Sequence, residues 1–260
     1  MKYLIPVCIS LGLTVGKTSD AKPSLPSAKK ILVVADPWCP YNCDQSSHDL
    51  GFMVDVAREV LSAHGYEVSY LNMPWLDAMR ASRSGQADAV IGAGPSEAKD
   101  MVLAGEPLGQ NKTCLYTRSD DPYQYRPGQS LKGRRLGVAS GYLYGDGLDQ
   151  YIDANRAEYN LVQFAGGTKP LLENYRKLVD RRIDTVVENF LVMEFSVRKY
   201  RLTGVKLAGC DEASTLHIAF SPKRADSGHL AELINQGVRD LRRSGRLKEI
   251  LARYNTTDWK

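Results

Sequence analysis

Cys39, Cys43 and His48 stand as Cys-x3-Cys-x4-His directly after an apolar run, and three chemistries compete for them. A structural zinc site needs four ligands, and no second paired cluster at the right spacing completes the set. A thioredoxin-like redox site needs Cys-x-x-Cys at a helix start, and here the cysteines stand one residue further apart. The third chemistry is a disulfide that closes a short loop. That loop carries Trp38 and Tyr41, aromatic faces of the kind that hold an apolar stem or a cation. The stretch VVADPWCPYNC, residues 33–43, therefore reads as a strand followed by one wall of a binding pocket. No metal and no cofactor is expected.

Cys8 differs from the other four cysteines. It lies in YLIPVCISLGLTVG, an apolar run after Lys2 that is short for a bilayer span. With the small residues that follow, residues 1–21 read as a secretory signal peptide. Cleavage after Gly16 and after Ala21 are both open, and a buried N-terminal strand is the alternative. Export puts Cys39, Cys43, Cys114 and Cys210 in an oxidising compartment, where an even number favours disulfides. Three pairings are possible, and Cys39–Cys43 is the local one.

The elements that must position these residues alternate between strand and helix. Ile31–Ala35 is a buried strand ended by Pro37. Met53, Val56, Ala57, Val60 and Leu61 form one face of a helix stopped by Gly65. Val68–Leu71 is a strand, 75–83 a helix and 87–91 a strand. SDDPYQYRPGQSLKG then marks a change of composition, as at a crossing between lobes. The pattern resumes with strands at 136–139, 161–164, 183–187, 205–207 and 216–220. Helices are expected over 147–157, around 171–179 and over 190–199. Two more close the chain, one with the stripe Leu230, Leu233, Ile234, Gly237, Val238 and Leu241, the other over 246–254. Such alternation predicts an α/β fold with mostly parallel sheets. QADAVIGAG and RIDTVVENF repeat one pattern and read as equivalent strands of two similar lobes.

Ligands of open α/β sheets sit beyond the carboxyl ends of the strands. Four loops lie there: DPWCPYNC, GAGPSEAK, SGYLYGDG and ENF. If two lobes face each other, the loops form one cleft holding Trp38, Tyr41, Tyr142, Tyr144, Glu188 and Lys99. The net charge of +4 is mild for 260 residues. The basic run LRRSGRLKEILARY is interrupted by apolar and acidic residues at helical spacing, so nucleic acid is not an expected partner.

Gly51, Phe52, Asp55, Trp75, Gly85 and Asp88 hold the places of a pattern that resembles the family 3 extracellular solute-binding proteins. LKGRRLGVASG resembles the strand that opens the second lobe of that family, and LINQGVRDLRRSGRLKEILARYN its closing helices. The resemblance runs from about Lys30 to the C-terminus. It implies a two-lobe, type II periplasmic binding fold hinged by two crossings. Lobe 1 is expected over 30–117 plus 216–260, and lobe 2 over 121–211. Cys114 and Cys210 then lie near the hinge and form a possible second disulfide.

The resemblance also implies a function: periplasmic capture of a small polar, amino-acid-like or amine-bearing solute by a monomer that serves a membrane permease. A sensing module for a separate receptor and a dehydratase-like enzyme are the alternatives, and no catalytic residues are assigned. The expected ligand site comprises Trp38, Tyr41, Trp75, Gly92, Ala93, Gly94, Ser96, Lys99, Gly141, Tyr142 and Glu188. It departs from the family at several points, among them Tyr142 and Leu143 after Gly141, where the family often has Ser or Thr. The family's carboxylate-clamping Arg is replaced by Lys99, a point charge without the planar fork. Glu188 stands for the family's amine-binding Asp.

Overall fold

The computed structural model describes Met1 and residues 29–260. The expected signal peptide, Met1 apart, and Cys8 lie outside the described residues. The chain builds β1 (Lys29–Ala35), α1 (Phe52–Ser62), β2 (Tyr66–Asn72), α2 (Trp75–Ser84), β3 (Ala89–Ala93), β4 (Val102–Leu103) and β5 (Gly109–Asn111). It continues through β6 (Thr113–Arg118), β7 (Leu136–Ala139), α3 (Asp146–Ala154), β8 (Val162–Ala165), α4 (Pro170–Val179), β9 (Thr185–Asn189), α5 (Phe190–Tyr200) and β10 (Val205–Cys210). It closes with β11 (Ser214–Phe220), α6 (Ser227–Arg243) and α7 (Arg246–Arg253).

These strands form two sheets of like topology. The first runs β2-β1-β3-β11-β4, with β5 also paired to β11. The second runs β10-β6-β9-β7-β8. In each, three parallel strands come first, β2-β1-β3 and β8-β7-β9, and an antiparallel strand returns beside the third. The repeated patterns fall on β3 and β9, which hold corresponding places. The aspartate ahead of each strand explains the repeat. Asp88 accepts the Leu32 N–H at 2.7 Å, and Asp184 accepts the Arg135 N–H at 3.1 Å. Each carboxylate thereby ties the third strand in chain order to the first, at Leu32 of β1 and just ahead of β7, and each is held by an arginine, Arg224 or Arg135.

From Ile31 to Ala35 β1 is apolar because both its faces are covered. Ile31, Val33 and Ala35 pack with α1, α6 and α7, while Val34 packs with Ala78 and Met79 of α2. Gly51, before α1, has φ 103, and a Cβ there would strike the Tyr41 carbonyl. Its N–H donates to the Tyr254 hydroxyl, which in turn donates to Asp55 at 2.6 Å, tying α1 to the end of α7.

β6 belongs wholly to the second sheet, pairing with β9 and β10. Residues 113–117, expected at the end of the first lobe, therefore lie in the second, and the first crossing falls at Lys112. The composition change after Ser119 is instead a loop within the second lobe. It is rich in Pro and Gly because it leaves a strand, not because it joins lobes. The return crossing lies at residues 211–213. Cys114 and Cys210 are opposite one another on β6 and β10 and are disulfide-bonded, just beyond both crossings. Cys39 and Cys43 are also bonded.

Closing a loop of nearly a hundred residues restricts the unfolded chain far more than closing a short one. In the chain-entropy account, the Cys114→Ser/Cys210→Ser variant loses about 4–5 kcal/mol and the Cys39→Ser/Cys43→Ser variant about 2 kcal/mol. Urea denaturation of both variants checks the order.

Candidate ligand site

β1 ends in Asp36 and the disulfide-closed turn, in which the Trp38 N–H donates to the Asn42 carbonyl at 2.6 Å. Trp38 lies over the edge of this turn with Tyr41 stacked behind it, ring centroids 4.7 Å apart, and Phe52 of α1 behind Tyr41. Tyr41 is 1 % exposed and donates its hydroxyl to the Gln110 carbonyl at 2.5 Å. It supports Trp38 from the core and does not reach the cleft. From the second lobe, the turn after β7 brings in Tyr142. Its ring meets Trp38 and Trp75 edge-on, with centroids at 6.2 and 6.5 Å.

The carboxylates are placed by short, local constraints. Glu97 follows the Gly94-Pro95-Ser96 turn at the end of β3 and folds back on it. One oxygen accepts the Gly94 N–H at 2.9 Å and the other the Trp75 indole N–H at 3.2 Å. Glu188, at the end of β9, accepts the Asn189 N–H at 2.7 Å and, across the cleft, the Trp38 indole N–H at 3.1 Å. Asp36 accepts the Tyr142 hydroxyl, also across the cleft. Asn189 caps α5 by accepting the Leu191 N–H at 2.8 Å, which fixes the strand-to-helix corner that carries Glu188.

Asp36, Trp38, Asn42, Trp75, Gly92, Glu97, Asn111, Thr113, Tyr142, Tyr144, Glu188 and Asn189 are among the residues that enclose one cavity between the lobes. Its free space is about 40 Å³. That admits roughly three water-sized groups. No Lys, Arg or His is among the lining residues. Burial pushes the Glu188 carboxyl up to about 7, against the lowering effect of its two N–H partners. Burial likewise pushes Asp36 up to about 6, opposed by the Tyr142 hydroxyl and assisted by the charge of Glu97. Glu97 is raised too, chiefly by burial. Tyr142 is raised well above its ordinary value by burial and then by the nearby carboxylates, so it remains a neutral donor. One more acceptor is buried here. The Asn42 amide nitrogen donates to the Asp36 carbonyl at 2.7 Å, which fixes the amide's orientation, and its Oδ1 has no partner among the described residues.

Of the residues chosen from sequence, Trp38, Trp75, Gly92, Tyr142 and Glu188 meet in this cavity. Tyr41 and Ala93 are buried beside it. Gly94 serves Glu97. Ser96 and Gly141 lie on an outer groove by Leu76, and Lys99 is exposed. The GAGPSEAK loop turns so that Glu97 points inward, which carries Lys99 outward. Asp36, Asn42, Glu97, Asn111 and Thr113 were not anticipated. Asp36 carried a readable signal, being the acid at the carboxyl end of the first strand. Glu97 did not, because only the turn at Gly94 directs it.

Two like-folded lobes, joined by two crossings and meeting over an aromatic and acidic cleft, define a two-lobe type II binding fold. Residues 31–257 match the family described as bacterial extracellular solute-binding proteins, family 3, and the chain belongs to it. It is 22% identical over 260 residues to the arginine-binding extracellular protein ArtP of Bacillus subtilis (strain 168), covering 97% of this chain and 96% of that one. Among solved structures it is similar to a mutant of ArgBP from T. maritima, with TM-score 0.71 and 21% identity over 88% of this chain and 96% of that chain. A histidine kinase sensor domain with similarity to periplasmic binding proteins gives TM-score 0.70 and 21% identity over 88% and 96%. These structural likenesses show the fold.

The raised carboxyls make stability depend on pH. Asp36 and Glu188 hold protons in the folded protein at pH values where the unfolded chain has released them. The contribution of these groups to stability therefore falls as pH rises from about 4 towards 7, by about 1.4 kcal/mol for each tenfold difference in proton affinity between the folded and unfolded chain. The ligand-free protein should lose melting temperature between about pH 4 and pH 7. Asp36→Asn with Glu188→Gln should flatten that slope, as differential scanning fluorimetry across the range will read.

Proposed function

We propose that this chain binds a small cationic solute by its amine or guanidinium headgroup in the interlobe cavity, and delivers it from the periplasm to an ABC-type permease. The observation that carries this reading is a lining of carboxyls held by neutral donors, with no basic side chain. The buried Asp36 and Glu188 carboxyls, the half-buried Glu97 carboxyl and the unpartnered Asn42 Oδ1 line one cavity. A cation with several N–H donors supplies what they lack, and it favours the charged form of each carboxyl. Trp38 and Trp75 add aromatic faces, each worth about 0.5–2 kcal/mol to a cation.

Membership of an extracellular solute-binding family supports export and a binding role. The arginine-binding relative supports a cationic ligand. The altered carboxylate clamp fits the same view: Glu97 already takes the Gly94 N–H, and Lys99 stands outside. The likeness to a histidine kinase sensor domain favours a second reading, in which the same closed cleft reports to a separate membrane receptor.

Isothermal calorimetry with agmatine, putrescine and ethanolamine tests the site. At least one should bind, and Glu188→Gln should weaken it tenfold or more, as expected when one partner of a buried charged pair is lost. Trp75→Ala should cost about 2- to 30-fold. Affinity should rise from about pH 5 to pH 8, because the cation competes with the protons on Asp36 and Glu188. Unchanged affinity in the Glu188→Gln variant would place the ligand elsewhere.

A further inference from the structure

Beyond the cavity, Trp38, Tyr142 and Glu188 also line a second, larger groove of about 380 Å³. These three side chains are the shared wall of the two spaces. The groove's character is opposite to that of the cavity. Lys169, ahead of α4, and Lys199, on α5, both line it. Neither forms an ion pair among the described residues. Lys199 leans instead on the Phe195 and Tyr200 rings at 5.3 and 5.7 Å. Asp44 faces them from the first lobe, but its carboxylate is already engaged by the Ser46 N–H at 2.9 Å and hydroxyl at 2.7 Å. The Ser46 bonds, and to a lesser degree both lysines, hold it below its ordinary value, so the positive field of the two lysines reaches across the groove. Ser196 also lines the groove. It is 5 % exposed, and its hydroxyl makes no hydrogen bond among the described residues.

We infer that this groove is a second subsite, holding an anionic group, a carboxylate or a phosphate, of the same ligand whose cationic head occupies the inner cavity. This rests on the proposed function. The inner space is small and shares the Trp38, Tyr142 and Glu188 wall with this groove, and in this arrangement the rest of the ligand passes that wall. The groove beyond offers two ammonium groups and the Ser196 hydroxyl. The ligand therefore lies with its cation inward and its anion outward, and Lys169 and Lys199 take over the anion that Lys99 is too far out to hold.

Matched probes test this by calorimetry on the full mature chain. Arginine and agmatine differ by a carboxylate, and phosphoethanolamine and ethanolamine by a phosphate. In at least one pair the anion-bearing member should bind tenfold or more tighter. The pair that shows the preference identifies which anion the groove takes. In Lys169→Ala/Lys199→Ala that preference should vanish while agmatine and ethanolamine keep their affinity. Charge reversal to Glu at both positions should weaken only the anion-bearing member. Both lysines are exposed, so these variants leave the core untouched. Equal affinity within both pairs, or a preference that survives in the double variants, overturns the second subsite alone. Failure of every cation to bind overturns the proposed function and the subsite with it.

Discussion

Two buried carboxyl groups and a half-buried third share one cleft that offers them no basic side chain, and much of the rest of the molecule is arranged around that constraint. Burying a carboxylate without a counter-charge is costly, and burying several near one another adds repulsion. The protein meets the cost with neutral donors. Two indole N–H groups, one phenol and two backbone N–H groups are each directed at a carboxyl oxygen. Neutral donors hold an acid in place without cancelling its charge. The site stays acidic while its geometry is fixed, and both Asp36 and Glu188 sit with carboxyls poised near neutrality.

The donors also couple the lobes. Of the five bonds, two cross the cleft: Trp38 to Glu188 and Tyr142 to Asp36. Each joins a loop at the end of a first-sheet strand to one at the end of a second-sheet strand. Near the crossings, Asn189 of β9 donates to the Asn111 side chain of β5 at 3.0 Å, and the Cys114–Cys210 bond locks β6 to β10. The disulfide thus fixes, within the second lobe, the strands that both crossings join, while the cleft side is bridged by a few hydrogen bonds.

Most of the fold was legible from sequence because periodicity reports burial. β1 reads as an unbroken apolar run for the reason that helices cover both its faces, and α6 shows its stripe because only one of its faces packs. The repeated Asp-x-Val pattern was readable as two lobes because each aspartate does the same work, fastening the third strand to the first. β6 was not readable. Its residues, Thr113–Arg118, are buried almost throughout, yet Cys, Tyr and Thr give no clear alternation, and its sheet is decided by partners far away in sequence. In the site, aromatic residues and Glu188 stood out by type and by position at strand ends. Glu97 and Asn42 did not, because each is aimed by a single local bond, to Gly94 and to the Asp36 carbonyl. Lys99 was misplaced for the same reason, since the turn that brings Glu97 in carries Lys99 out.

The bonds that cross the cleft are made by the groups that would receive a cation. A ligand reaching Asp36 or Glu188 competes with Tyr142 or Trp38 for the same oxygens, so its contacts are not simply added to those that hold the closed arrangement. Each carboxylate oxygen has more than one acceptor direction, however, and Glu188 uses one oxygen for both of its N–H partners. Its second oxygen makes no hydrogen bond among the described residues. A headgroup that bonds this oxygen keeps the Trp38 bridge intact, whereas one that enters at Asp36 must share with the Tyr142 hydroxyl. On the proposed function, a ligand whose donors converge at Glu188 would therefore preserve closure.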